Sequence, residues 1–268
     1  RHLIILILLL AIPSMLLIVR SGMEARDEAI DEAKKASLAF VESIAAEEQT
    51  AVTGIQQLAA TIALLPAVQM HDGKAVNSLL QELLKNNPQL NNIAIAGKSG
   101  AVWASGSPVE GKVSFADRRY FKEALRTGMF SSGEYSIGKI VKTSHMSFGY
   151  PVKNDRDETI AVIGITLNLG YAQKAFEKVS LPPGASFSLL DHQGIVLAGN
   201  RRDSLSTEFT GSRDFPEEMF TTMLNGPEVG TWEPVGNDGQ TRLSIYKRLS
   251  LPHETEAYLY IRSCIPLT

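Results

Sequence analysis

The chain has 268 residues, with 26 Lys and Arg against 29 Asp and Glu, which gives a formal net charge of −3. This balance leaves no basic stripe of the kind that a phosphate backbone requires, so we expect no nucleic-acid partner. The lone cysteine, Cys264, cannot form an internal disulfide, and the fold therefore depends on its hydrophobic core.

The N-terminal region contains an uncharged apolar run over residues 3–19. This run is at the short end of what spans a bilayer, and Pro13 within it is compatible with a membrane helix. A cleaved signal peptide is the alternative, but no small-x-small cleavage site lies near Val19. We predict an uncleaved transmembrane helix over residues 1–20 in the inner (cytoplasmic) membrane, with the chain after about residue 20 extracytoplasmic or periplasmic.

A long helix is predicted over residues 21–66. Before Pro66 this segment has no proline, and its apolar residues recur at helical spacing. Such a helix is far longer than the globular average of roughly 11–12 residues. It is therefore a coiled-coil stalk or, as a second interpretation, a spine on which later sheets pack.

Beyond Pro88 the hydrophobic pattern changes to strands, and the pattern repeats. The hairpins predicted at 93–104 and 187–198 have the same layout, with Gly100 matching Gly194 in the turn. Each copy continues with a helix and three further strand candidates. We predict an α+β fold with two tandem modules, each built on an antiparallel sheet, at residues 67–179 and 180–268.

Motifs for catalysis or metal binding are absent from the sequence. It contains no G-x-x-x-x-G-K-S/T, H-E-x-x-H, G-x-S-x-G or C-x-x-C, and its histidines show no metal-ligand spacing. We predict no catalytic residue, metal or cofactor. A hydrolase using His145 and Asp117 is an alternative, weakened because the two residues belong to different predicted elements and have no evident third partner.

The densest polar feature is the segment from Phe115 to Phe121. Asp117 is well placed as the N-cap of a helix beginning at Arg118, and Gly128 as its terminator. An arginine in the first turn is unfavourable, because a helix N-terminus already carries partial positive charge. A bound carboxylate would make the two arginines favourable there, so Arg118, and after it Arg119, are candidate ligand contacts, with pairing to a surface glutamate as the alternative.

Three further side chains, Tyr135, His145 and Trp103, are candidates for the same site. On the strand predicted at 142–152, His145 and Ser147 share a small polar face that suits a pocket wall or solvent, while the opposite face is apolar. Trp103 is interpreted first as a buried residue, and second as an interface residue or the roof of a pocket.

Several of these features occur together in a known family. They are the apolar anchor, the long helix, LPAV at 65–68, FADRRYF at 115–121, GEYSIG at 133–138 and FGYPV at 148–152. In these respects the chain resembles a double Cache sensor domain over residues 23–266. The resemblance implies a long helix supporting two PAS-like modules, in the extracytoplasmic ligand-binding region of a sensor histidine kinase, diguanylate cyclase or chemoreceptor.

The resemblance also implies which residues contact a ligand. Arg118, Tyr120 and Tyr135 match the positions that family members use to bind amino acids, whereas the family's aspartate position falls on Thr166. Threonine is a poor partner for an α-ammonium group. With His145 and Trp103 added, the predicted site takes a small organic acid. In the second module the matching positions are Ser212, Arg213 and Asp214, for which we predict no ligand.

The sequence therefore predicts the sensing domain of a transmembrane receptor, first a sensor histidine kinase, that binds a small-molecule ligand and signals as a homodimer through helix movement. The chain itself is expected not to be an enzyme, and to continue into a second membrane helix. The alternatives are the input domain of a diguanylate cyclase or chemoreceptor, or a membrane-anchored solute-binding protein without signalling.

Overall fold

The computed structural model describes residues 2–176, 184–200, 210–213, 217–233 and 241–267, with side chains from residue 15 onward except 175 and 176. Within these ranges the helices are α1 His2–Ala63, α2 Pro66–Gln69, α3 Gly73–Lys85, α4 Arg119–Thr127, α5 Leu169–Phe176 and α6 Glu217–Asn225. The strands there are β1 Leu90–Gly97, β2 Val102–Ser105, β3 Ser131–Ser132, β4 Ser136–Ile137, β5 Ser144–Lys153, β6 Thr159–Asn168, β7 Ser186–Asp191, β8 Val196–Asn200, β9 Val229–Trp232, β10 Arg242–Leu249 and β11 Leu259–Pro266.

The first helix is continuous, so the predicted anchor and the predicted stalk are not separate elements. α1 runs for 62 residues and ends at Ala63, three residues before Pro66. Pro66 then begins α2, because its fixed φ and missing N–H suit the first position of a helix. Across the residues described, no helix is both long and apolar enough to cross a membrane.

The C-terminal half of α1 is a spine. Side chains at 15–29 are exposed, whereas burial begins at Ser37 and continues through Val41 and Ile44 to Ala63. This part of α1 packs against β5 and β6 of one sheet and β10 and β11 of the other. The hydroxyl of Ser37 also donates to that of Ser263, at 2.8 Å. The spine was the second interpretation from sequence, and it is right for this half of the helix.

Two antiparallel sheets follow, and they share one strand order. The first runs β2-β1-β6-β5-β3 with β4 paired to β5, and the second runs β8-β7-β11-β10-β9. The predicted α+β fold with two repeated sheets is therefore confirmed. We name the unit built on the first sheet, β1 to β6, the distal module. The unit built on the second sheet, β7 to β11, is the proximal module. The predicted boundary between them, at 179–180, lies outside the described residues.

The repeat extends to the first hairpin of each sheet. Gly100 and Gly194 both have positive φ, +83° and +78°, a conformation that glycine adopts without steric cost. The register shifts at the same place in both hairpins, between Ile95 and Ala96 and between Leu189 and Leu190. The matching glycines in the sequence thus mark the same turn geometry.

Each sheet is covered on two faces. One face joins α1 in a single large core that includes residues from both sheets. The other face of the distal sheet packs against α4, through a small cluster that includes Tyr120, Phe121 and Ala124. The other face of the proximal sheet packs against α6, through Phe220 and Met223. Of the predicted ligand residues, Tyr120 belongs to the outer cluster with α4, whereas Trp103 and Tyr135 pack against the core shared with α1.

Candidate functional site

The helix that carries Arg118 begins one residue later than predicted. Arg118 is the N-cap of α4, with extended backbone angles and no side-chain cap bond, so the prediction of Asp117 as the cap is wrong. The Asp117 carboxylate is instead held by Lys139 Nζ at 2.5 Å. Gly128 ends the helix in the left-handed region at φ 65°, as predicted. No residue in the first turn of α4 is acidic, and the carboxyl group of Glu134 accepts a hydrogen bond from the Arg119 backbone at this end of the helix.

A cavity lies between the N-terminus of α4 and the distal sheet. Four predicted site residues, Arg118, Tyr120, His145 and Thr166, line it together. Its volume is about 20 Å³. Because about one water molecule fills ~10–15 Å³ on such a measure, this conformation has no room for an organic ligand. The remaining lining residues are Asn92, Ala94, Phe115, Gly138, Lys139, Ile140, Val141 and Ser147.

Tyr120 forms one wall of the cavity because two glycines let it approach the sheet. Gly149 on β5 and Gly164 on β6 are directly paired. A methyl group placed on Gly149 would lie 2.6 Å from the Tyr120 carbonyl oxygen, and one on Gly164 would lie 3.0 Å from the Tyr120 hydroxyl. Tyr120 therefore packs directly against the backbone of these two glycines. Its burial raises the pKa of its hydroxyl.

His145 forms the opposite wall and is neutral. Its Nε2 lies 3.1 Å from the hydroxyl of Ser136, and its Nδ1 lies 3.2 Å from the carbonyl oxygen of Thr143. Burial lowers the pKa of His145 to about 4, with Arg118 acting in the same direction. Ser147 and Thr166 continue this wall with hydroxyls 3.1 Å apart. The predicted small polar face of β5 is therefore a cavity wall.

The segment 137–143 covers the cavity and is fastened to its rim. Arg118 Nη2 donates to the carbonyl oxygen of Ile137 at 2.9 Å. Lys139 Nζ donates to the carbonyl oxygen of Ser114 at 2.7 Å in addition to its ion pair with Asp117. We call residues 137–143 the cover segment. In this conformation Arg118 is therefore a donor to the backbone of the cover segment.

Two predicted site residues lie apart from this cavity. The ring of Trp103 stacks on His71, with centroids 4.6 Å apart, because β2 directs it toward the start of α3. The Tyr135 hydroxyl lies 3.2 Å from that of Ser144, while the Tyr135 amide donates to Asp191 of the proximal module at 2.9 Å. Neither Trp103 nor Tyr135 lines the cavity.

Arg119 points toward the proximal module. Its side chain is 20% exposed, and its Nη2 lies 3.2 Å from Glu256 Oε2. Glu254 of the same loop accepts from the amide and the hydroxyl of Ser132, at 2.8 and 2.6 Å. Of the two consecutive arginines, Arg118 therefore belongs to the cavity and Arg119 to the contact between modules.

Sequence reasoning missed the cover segment and Asn92. Asn92 is buried, pairs with Thr166 on β6, and donates to the Ser105 hydroxyl at 3.0 Å. A polar residue inside an apolar strand run was the available sign of Asn92. The glycine and two lysines of Gly138-Lys139-Ile140-Val141-Lys142 indicate a loop, but they do not indicate that it folds over a cavity.

Comparison with solved structures identifies this fold, whereas no protein-family model and no curated protein matches the sequence. The extracellular domain of a candidate histidine kinase, mmHK1S-Z2, matches with a TM-score of 0.68 and 15% identity, over 87% of this chain and 97% of that one. The ligand-binding domain of the Pseudomonas fluorescens chemoreceptor CtaA, in complex with L-serine, matches with 0.64 and 16%, over 85% and 94%.

A third match is the sensor domain of the V. cholerae histidine kinase DctB, with a TM-score of 0.57 and 16% identity, over 84% of this chain and 94% of that one. All three similarities cover more than four fifths of this chain. The chain therefore has the fold of the extracellular sensor domains of histidine kinases and chemoreceptors, as its resemblance to double Cache domains implied.

Proposed function

We propose that this chain is the extracytoplasmic sensing domain of a transmembrane receptor, a sensor histidine kinase, and that its distal cavity binds a small carboxylate. One observation carries the proposal. Arg118 and Lys139 border a cavity at the N-terminus of α4, and no Asp or Glu is among the described residues that line it. Two cations without an acidic residue in the lining favour an anion.

The geometry indicates how a carboxylate would bind. Its oxygens would replace the carbonyl oxygen of Ile137 at Arg118 Nη2. The new hydrogen bond would be stronger, because the donor and the acceptor are both ionised. The hydroxyls of Ser147 and Thr166 supply neutral donors on the sheet side. Neutral His145 has no donor left for the ligand, because its Nδ1–H donates to the carbonyl oxygen of Thr143 and its Nε2 accepts from the hydroxyl of Ser136.

The same lining disfavours an amino acid. CtaA was solved with L-serine bound, and an α-ammonium group needs an anionic or acceptor-rich partner. In this cavity the candidate partners are Asn92, Ser147 and Thr166, none of which carries charge. An organic acid without an amine therefore fits the residues better than an amino acid does.

Ligand entry requires the cover segment to move outward. The present cavity of about 20 Å³ cannot hold an organic acid, and Arg118, Lys139 and His145 fasten the cover segment or the strand beside it. A ligand that binds only the open arrangement shifts the population toward it. The cover segment leads directly into β5, which contacts α1. This contact gives a route from the cavity to the helix that leads toward the proposed membrane anchor and homodimer.

The test is a thermal-unfolding screen of the protein with carboxylates, amino acids, amines and purines. A ligand at 100 times its dissociation constant stabilises the protein by about 2.7 kcal/mol. We expect stabilisation by a carboxylate, its loss in Arg118→Ala, and its retention in the control Arg126→Ala, at the far end of the same helix. Stabilisation that survives in Arg118→Ala would refute the site, and stabilisation by no carboxylate would refute the ligand class.

A further inference from the structure

A second, larger cavity lies where α1 meets both modules. Its volume is about 240 Å³, which exceeds the ~150 Å³ that suffices for an apolar cavity to bind benzene. On the distal side its walls come from α1, β5, β6 and α5. On the proximal side they come from β7, β8, β11 and Tyr258, the residue before β11. We call it the junction cavity. It is separate from the Arg118 cavity, because the two share no lining residue.

The walls of the junction cavity are mainly apolar. Phe148 and Tyr258 contribute aromatic rings in an edge-to-face arrangement, with centroids 5.8 Å apart. Met146 and several leucines complete the surface. Ligand sites in proteins commonly have this character, a hydrophobic lining with a few polar groups that fix orientation.

The charged groups in this lining have one sign. Glu47 and Glu48 of α1 border the junction cavity, and among the described lining residues there is no Lys, Arg or His. Glu48 is half-buried and has no hydrogen bond or ion pair within the described part of the chain. Burial, and after it the neighbouring Glu47, raise the pKa of Glu48 to about 7. A carboxyl group in this position lacks the cation that would favour its ionised form.

We propose that the junction cavity binds a small lipophilic amine, with its ammonium group paired to Glu48 and its apolar body against Phe148 and Tyr258. The negative lining disfavours an organic anion, which separates this site from the carboxylate site at Arg118. An ammonium ion supplies the missing partner of Glu48 and attracts the faces of the nearby aromatic rings. Since the walls belong to α1 and to both modules, a bound amine holds these three parts together.

The experiment is a calorimetric titration of the protein with phenethylamine and hexylamine. 3-Phenylpropionate, an acid of similar size, and ethylamine, an amine with a minimal apolar body, are the matched controls. We expect both larger amines to bind, and both controls to bind at least tenfold more weakly. Glu48→Gln should weaken amine binding by about tenfold or more, because a charged hydrogen bond contributes ~1.5–3 kcal/mol.

Two variants separate this role of Glu48 from a general effect on α1. Glu42→Gln removes an exposed charge of the same helix that does not line the cavity, and it should leave binding unchanged. Ala51→Phe places a ring at the cavity wall and should block the amine. Arg118→Ala should have no effect, whatever happens at the carboxylate site. Absence of amine binding, equal binding of 3-phenylpropionate, or full affinity in Glu48→Gln would overturn the proposal.

Discussion

The distal and proximal modules share a strand order but differ in what fills the space between sheet and outer helix. In the distal module the sheet contributes small side chains such as Ser147, and the ring of Tyr120 comes from the helix. In the proximal module the sheet itself contributes Tyr246 and Tyr260, which form a cluster with Phe220 of α6. Among the described residues, the outer face of the distal sheet therefore lines a cavity with small side chains, whereas that of the proximal sheet carries large aromatic rings.

The helices over the two sheets differ in charge as well. α6 has Glu217 and Glu218 in its first turn, whereas α4 has no acidic residue there and begins at Arg119, after the N-cap Arg118. Acidic side chains at a helix N-terminus satisfy its partial positive charge from within the protein. In the proximal module the carboxylates thus belong to the helix itself, whereas in the distal module the carboxyl group of Glu134, from outside the helix, accepts from the Arg119 backbone.

The largest expected loss of stability comes from removing a large buried side chain from the core of the proximal module. Tyr246 is 1% exposed, and its ring packs against Trp232 with centroids 5.6 Å apart. Tyr246→Ala should lower the free energy of unfolding by ~3–5 kcal/mol, the usual cost of removing a buried aromatic side chain. Denaturant unfolding measures this effect, with Lys247→Ala as the neighbouring control. A cost below ~1 kcal/mol would mean that the proximal module is not packed as described.

Acidification should act on the distal cavity through His145. Since the folded-state pKa of His145 is depressed to about 4, its contribution to stability is present above the unfolded pKa near 6.5 and is lost as the pH falls through 4. Between pH 7 and pH 4 this loss amounts to ~2–3 kcal/mol. The free energies of unfolding of the unmodified protein and of His145→Gln should therefore differ at pH 7 and approach each other toward pH 4. A difference between the two free energies that does not change with pH would contradict a neutral, buried His145.

Filling the glycine patch under Tyr120 should destabilise the distal module by an intermediate amount. Gly149→Ala places a methyl group against the Tyr120 backbone and should cost ~1–3 kcal/mol, the usual range for overpacking. Gly97→Ala in β1 of the same sheet meets no atom within 4 Å and serves as the control. The measurement is denaturant unfolding of both variants. Equal effects would show that loss of glycine, and not contact with Tyr120, is responsible.

The smallest effect concerns the cover segment. The Lys139–Asp117 pair has side chains 32% and 63% exposed, and exposed pairs contribute only ~0–1 kcal/mol. Lys139→Met should therefore change stability little, while slowing the association of a carboxylate, because it removes one of the two cations that line the cavity. Stopped-flow binding to the ligand found by the thermal screen measures this rate. A faster association would instead show that Lys139 acts mainly by fastening the cover segment.

Periodicity and turn residues were sufficient to predict most of the fold. The tandem repeat, the turns at Gly100 and Gly194, and the polar face of β5 follow from local pattern. The end of α1 at Ala63 did not follow, because proline can begin a helix as readily as end one. Asp117 was misassigned as a cap because its ion pair with Lys139 joins residues 22 positions apart in the sequence.

The sequence predicted only part of the site, because some of its residues are placed by tertiary contacts that local pattern does not show. Arg118, Tyr120, His145 and Thr166 meet because antiparallel pairing of β5 and β6 brings two of them beside the start of α4. Trp103 and Tyr135 lie elsewhere because the direction of a side chain at a strand end depends on tertiary neighbours, here His71 and the proximal Asp191. The cover segment was missed because its role depends on folding over the cavity.

The most direct test of the difference between the modules is hydrogen–deuterium exchange with and without a saturating carboxylate from the thermal screen. We predict altered exchange in the cover segment and in the first turn of α4, with exchange in α6 unchanged. Altered exchange confined to the proximal module, or equal in both, would contradict the assignment of the ligand site to the distal cavity.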